Sequence, residues 1–228
     1  MKNLLIKKSR LLTIAVISLL FAANASSQAI NWKSLDKKQR HLINVNAGAE
    51  YGFTIGAGYG YQLKTKMPIV LTIDHSFPAG DKISDDFKTR IGGIVRIYQV
   101  NDFQFSAKIQ GVFRRYENQL ARLVNFGSDM SAIAGYYKPK WFVAGEAGFD
   151  KAIVTHFKHS ASYKQNFPEV IDGWYEPATG GNFYYGLQAG LSFGRNDIYV
   201  KGGKLLEQDF STKPLLPFYL QVGYTIRL

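Results

Sequence analysis

The sequence predicts an all-β fold: a single antiparallel transmembrane β-barrel of about ten strands, with eight as the alternative count, behind an N-terminal signal peptide. Three observations predict it. Apolar residues recur with period two along most of the chain, the pattern of strands with two unlike faces. The alternating segments are long: Phe53–Leu63 holds the pattern over its whole length, where soluble strands average about 5–6 residues and tilted membrane strands need about 9–11. The connections between them alternate short and long, as in barrels with tight inner turns and extended outer loops.

The first segment is built for export. Lys2, Lys7, Lys8 and Arg10 precede the apolar stretch Leu11–Ala23, and Ala23-Asn24-Ala25 is a small-x-small site, so residues 1–25 read as a cleaved signal peptide. Removing four basic residues and no acid lowers the net charge from +11 to +7. Three further net charges lie in Lys33–Arg40, so much of the basicity is N-terminal and is no nucleic-acid footprint. Residues 26–40 read as a periplasmic tract and 41–228 as the barrel. The absence of cysteine excludes a disulfide scaffold, thiolate zinc sites, a thiol nucleophile and a lipidated N-terminal cysteine.

The strands follow in order. Phe53, Ile55, Ala57, Tyr59, Tyr61 and Leu63 alternate with Thr54, Gly56, Gly58, Gly60 and Gln62; Ile69, Leu71 and Ile73 alternate with Thr72, Asp74 and Ser76. Phe103–Phe113, Phe183–Phe193 and Phe218–Leu228 repeat the pattern. A soluble sandwich would bury the apolar face; a membrane barrel turns it outward and keeps the mixed Gly, Gln, Ser, Lys, Arg and Asp face in the lumen. Aromatics at segment ends (Tyr59, Tyr61, Phe77, Phe103, Tyr136, Trp141, Phe183, Phe218) suit interface girdles. The connections read as 64–66, 100–102, 137–140 and 194–197 on the short side, and 78–86, 117–127, 155–181 and 205–216 on the long side. A further strand at about 41–49, turning at Glu50-Tyr51-Gly52, keeps the odd-numbered apolar phase from Ile43 to Leu63 and brings the count to ten. One long strand through 41–63 would give nine and leave the termini on opposite sides.

With these features the chain resembles the small outer-membrane β-barrel domain proteins of Gram-negative, Bacteroidetes-type bacteria. The resemblance covers residues 41–228 as pattern. Its most specific part is the last strand, where Gln221, Gly223, Ile226 and Leu228 match the spacing that barrel assembly machinery reads, with Leu228 where Phe or Trp is commoner. The resemblance implies an outer-membrane location, surrounding membrane lipids, and assembly-machinery contact.

Candidate chemistry lies on the lumen face and in one loop. By parity the lumen charges are Asp74, Lys88, Arg90, Arg96, Lys108, Arg114, Asp129, Glu146, Asp150, Lys201 and Arg227. Strand direction puts Arg96 and Arg227 at the periplasmic end. Seven of the eleven are basic, which would suit an anion-favouring constriction; both signs occur in the outer half, which favours an ion-pair network filling a narrow barrel. The lumen glycines are read as room for long side chains crossing the interior. Loop 155–181 gathers His156, His159, Tyr163, Phe167, Trp174 and Tyr175, candidates for contact with an extracellular ligand or protein partner. Spacing of three sends His156 and His159 to opposite faces, and no third ligand is evident, so no metal and no cofactor are expected. Asp74-His75 is the one adjacent acid–histidine pair, and strand parity separates it. Asp172 with either loop histidine stays open. The expected role is structural or surface-interacting without catalysis; the alternatives are a narrow porin-like pore and an outer-membrane lipid- or peptide-hydrolysing enzyme.

Overall fold

The computed structural model describes residues 28–228 except 37, 51, 80–84, 178–180, 212, 213 and 215. The signal peptide expected at 1–25 lies outside the described residues. In chain order the elements are β1 (His41–Ala49), β2 (Phe53–Gln62), β3 (Ile69–Pro78), β4 (Asp86–Val100), β5 (Phe103–Glu117), β6 (Ala121–Lys138), β7 (Trp141–His159), α1 (Ala161–Asn166), β8 (Gly173–Tyr175), β9 (Gly181–Phe193), β10 (Asn196–Glu207) and β11 (Phe218–Arg227). All but α1 and β8 build one closed, antiparallel, ten-stranded barrel. β1 closes it against β11, in register from Leu42↔Arg227 to Ala49↔Leu220. β8 is a short ribbon paired to the upper part of β7. Closure leaves no barrel strand with an unpaired edge.

The ten-strand count stands, and the eight- and nine-strand alternatives do not. The turn at 50–52 is where parity put it. β6 and β7 run far longer than the sequence suggested. The connection expected at 117–127 is in fact the three-residue turn Asn118–Leu120, and β6 pairs with β5 from Arg122 and with β7 from Ala121. Asn118 closes that turn by accepting from the backbone N–H groups of Leu120 and Ala121, both at 2.9 Å. Likewise β7 continues through 155–159 and β10 through 205–207. The hydrogen-bonded ladder outlasts the apolar alternation because backbone pairing does not depend on which way polar and apolar side chains face. At the other end, Asn101 turns the β4–β5 hairpin with φ 53°, a left-handed conformation that asparagine tolerates.

Polarity is inverted relative to a water-soluble globule. Leu187, Leu191, Ile91 and Ile109 on the outer wall are 60–66% exposed, whereas Asn44, Thr54, Gln104 and Gln221 inside are fully buried. Lumen glycines make room for rings that cross the interior. A Cβ on Gly223 would strike the Tyr199 ring, one on Gly148 the Tyr184 ring, and one on Gly190 the Phe142 ring. The spacer reading of these glycines therefore holds at three positions.

Candidate functional site

The interior is layered along the barrel axis. At the end with the short turns, the apolar side chains Leu42, Val70, Ile94, Ile133, Tyr137, Phe142 and Tyr199 point inward, against the usual polarity of the lumen. What they meet is the start of the described chain. Ala29, Ile30 and Trp32 are at most 6% exposed and join the same cluster, with Leu35 packed beside it. Polar anchors hold this segment. Asn31 donates to the Lys138 carbonyl (2.9 Å) and to Ser192 Oγ (2.8 Å). Arg96 lies over the Trp32 ring at 5.9 Å. Lys33 reaches Asp102 at 3.4 Å, and Arg227 donates to the Ser34 carbonyl. Asp102 also accepts from Lys138 (2.6 Å) and Tyr136 (3.0 Å), and the Lys138 ammonium holds its carboxyl below the usual value. Within the tract expected at 26–40, residues 28–35 form a plug in the barrel's mouth. The physical reason is the greasy inner wall there, which would otherwise face water.

Above the plug sits an ionic layer. Glu146 lies 3.3 Å from both Lys108 and Lys201, and Lys108 reaches Asp129 at 3.1 Å. Tyr184 donates to Asp129 at 2.6 Å. Arg90 pairs with Glu50 and approaches Asp129 at 3.8 Å; Lys88 bridges Glu50 (2.9 Å) and Asp150 (2.7 Å). Asp74 accepts from Gln110 at 3.1 Å. All eleven predicted lumen charges point inward, and six of the seven basic ones have an acid within 4 Å. Charges this far from water are tolerated only when paired and hydrogen-bonded.

Towards the long loops the lumen opens into a cup of about 660 Å³. Its floor is the ionic layer. Its wall combines Val112, Leu123, Ala152 and Leu205 with the Arg114–Asp86 pair, which is bidentate at 3.0 and 3.2 Å. The Tyr219 hydroxyl is buried in the lining with no partner among the described residues.

Three acids of this system were missing from the sequence reading: Glu50, Asp86 and Asp197, the last pairing with Arg227 at 3.0 Å. Each had been placed in a connection. Parity held the signal, since Glu50 continues the inward phase of Asn44 and Asn46, Asp86 that of Lys88 and Arg90, and Asp197 that of Tyr199 and Lys201.

The segment 160–177 borders one side of the cup's rim, its β8 pairing with the top of β7. His156 and His159 point to opposite faces of β7, as their spacing required. His156 packs edge-on to Trp174 at 4.9 Å, on the outer wall. His159 stacks on Tyr163, which in turn contacts Phe167; Tyr175 meets Phe157 edge-on. Asp172 accepts from the His159 backbone N–H (2.9 Å), from its Nδ1 (3.0 Å) and from Lys164 Nζ (2.5 Å). The His159 N–H and the Lys164 ammonium hold the Asp172 carboxyl well below its ordinary value. Ser160 beside this pair caps α1 through the Tyr163 N–H at 3.2 Å, so Asp172 serves as the clasp of the loop. His75 points outward, 2.9 Å from Thr89 Oγ1, so Asp74 and His75 form no dyad. No group of three or more metal-ligating acids and histidines occurs among the described residues. In β11, Gln221 and Gly223 face the lumen and Ile226 faces out, and Leu228 follows the strand, exposed. Compared with family models and with curated proteins, the chain matches none.

Proposed function

We propose that the chain is an integral outer-membrane β-barrel that is closed to through-flow and acts as a structural or surface-interaction component, with its cup and capping loop turned to the cell exterior. One observation carries this reading: a continuous apolar outer wall, girdled by Tyr59, Phe103, Tyr136, Trp141 and Phe218, around a buried ionic interior. Water would penalise that arrangement and a bilayer rewards it. Export by a cleaved signal peptide and recognition of β11 by assembly machinery belong to the same proposal. The plug and the ionic layer favour a closed barrel over a narrow pore. The loop's one acid–histidine pair is occupied as a clasp beside a helix-capping serine, which favours a non-catalytic role.

Two measurements test it. The protein should partition with the outer-membrane fraction, resist alkaline extraction and migrate faster on gels before heating than after. In planar bilayers the full protein should give no stable conductance. Soluble behaviour would sink the membrane reading, and reproducible ion-selective steps would replace the closed barrel by the pore.

A further inference from the structure

The outer wall carries an arrangement that neither the lumen nor the loop explains. A row of rings runs around the loop end: His75 meets Phe87 at 5.4 Å, Phe87 meets Phe113 at 5.8 Å, Phe113 meets Phe126 at 5.1 Å, and Phe126 meets Trp174 at 6.0 Å. Such a row marks the edge of an apolar slab. Four residues further along β6, on the same face as Phe126, stands Arg122; directly opposite it on β7 stands Lys158. Two cations facing each other across an antiparallel ladder have Cβ atoms about 5 Å apart and repel. Neither makes an ion pair or hydrogen bond with a described residue. On the other side Glu117 of β5 stands directly opposite Arg122, and its carboxylate pairs with Arg115 on its own strand. At about 3.3 Å per residue and a tilt of about 45°, the pair sits roughly 10 Å beyond the ring row, at headgroup height.

We infer that Arg122 and Lys158 form a binding site for the phosphate of an anionic membrane lipid on the outer wall of the barrel. The inference rests on the membrane reading above. A phosphate bridging the two side chains turns their repulsion into two charge-assisted hydrogen bonds, while the acyl chains lie along Phe126 and Val124 below. A lipid is the occupant, not a free anion, because the pair stands over the ring row and outside the cup. Glu117 stands between Arg115 on its own strand and Arg122 opposite, and with Lys158 these four side chains, three basic and one acidic, keep a net charge of +2 for the phosphate.

The test uses the full protein reconstituted into phosphatidylcholine nanodiscs with and without phosphatidylglycerol, with retained lipid read by native mass spectrometry. Wild type should retain phosphatidylglycerol preferentially, and Arg122→Gln and Lys158→Gln should each weaken that preference about five-fold. Lys64→Gln, at the opposite end, should leave it unchanged. In uncharged detergent, Lys158→Gln should melt no lower than wild type, because it removes a like-charge opposition; this separates lost binding from misfolding. Equal retention by wild type and the Arg122→Gln/Lys158→Gln double variant would overturn the inference. So would displacement of the lipid by inorganic phosphate at equal concentration, which would make this a free-anion site. Failure to enter nanodiscs of either composition would overturn the membrane reading together with the inference, an outcome distinct from insertion without lipid preference.

Discussion

At the turn end of the barrel the lumen is filled by Ile30 and Trp32 against Leu42, Val70, Phe142 and Tyr199; further along the axis β5, β7 and β10 contribute Lys108, Glu146 and Lys201. The lower filling is apolar and comes from a separate segment of chain. The upper one is ionic and comes from the strands themselves. An apolar filling gains from excluding water and tolerates imperfect geometry. An ionic filling barely breaks even when complete and fails badly when one partner is lost. One barrel therefore holds a seal that can be removed as a unit beside a layer that cannot be edited singly.

The largest effect should come from deleting the plug. A variant lacking residues 28–35 exposes the inward apolar ring to water. It should convert a silent barrel into a conducting one in planar bilayers, with lower resistance to unfolding. A deletion variant that folds and stays silent would place the seal in the ionic layer instead.

Next comes Glu146→Gln. Glu146 serves two lysines at once, and its loss leaves Lys108 and Lys201 confronting each other in a buried site. The expected cost is about 3–5 kcal/mol, read by denaturant unfolding in detergent. A cost below that of a rim variant would mean that water reaches this layer.

That rim variant is Asp86→Asn. The Arg114–Asp86 pair borders the open cup, with the arginine side chain 32% exposed. Its loss should cost no more than about 1 kcal/mol, and the contrast with Glu146 measures how steeply the interior dries out from rim to floor.

The smallest effect concerns the capping loop alone. Because the Asp172 carboxyl is held below its ordinary value, the clasp is fully present above the unfolded carboxylate value of about 3.9 and is lost as pH falls below it. Protease cleavage within 160–172 should accelerate upon acidification while the barrel stays intact. Asp172→Asn should show the accelerated rate already at neutral pH. A pH-independent cleavage rate would remove Asp172 from that role.

How much of this was legible in the sequence depends on the medium each residue faces. Where a strand carries an apolar outer and a polar inner face, period-two alternation is compulsory, so the inward orientation of Asp74, Lys88, Arg90 and Asp129 could be read residue by residue. Beyond that apolar band the constraint lapses. Ala121–Gly127 pairs as strand yet lacks the pattern, so it read as loop. The plug was illegible for a different reason. Gln28–Trp32 is too short to carry periodicity, and its partners are scattered over the chain, Trp32 with Arg96 and Asn31 with Lys138 and Ser192 among them. A trace did exist: Leu42, Val70 and Ile94 are apolar at lumen parity, and all fall at the same end of their strands. Apolar residues in a polar phase signal an unseen apolar partner. The ion pairs were legible as composition, but which acid meets which base required the cross-lumen geometry.

The plug also bears on the order of events in folding. Arg227 grips the Ser34 carbonyl across a separation of 193 residues, and Asn31 grips Ser192 across 161. The wall that the plug packs against is complete only when β11 has joined β1. Contacts of this span are entropically the dearest and form last. Docking of residues 28–35 is therefore a terminal step of assembly, and their burial reports, from the chain's first described residues, that its last strand is in place.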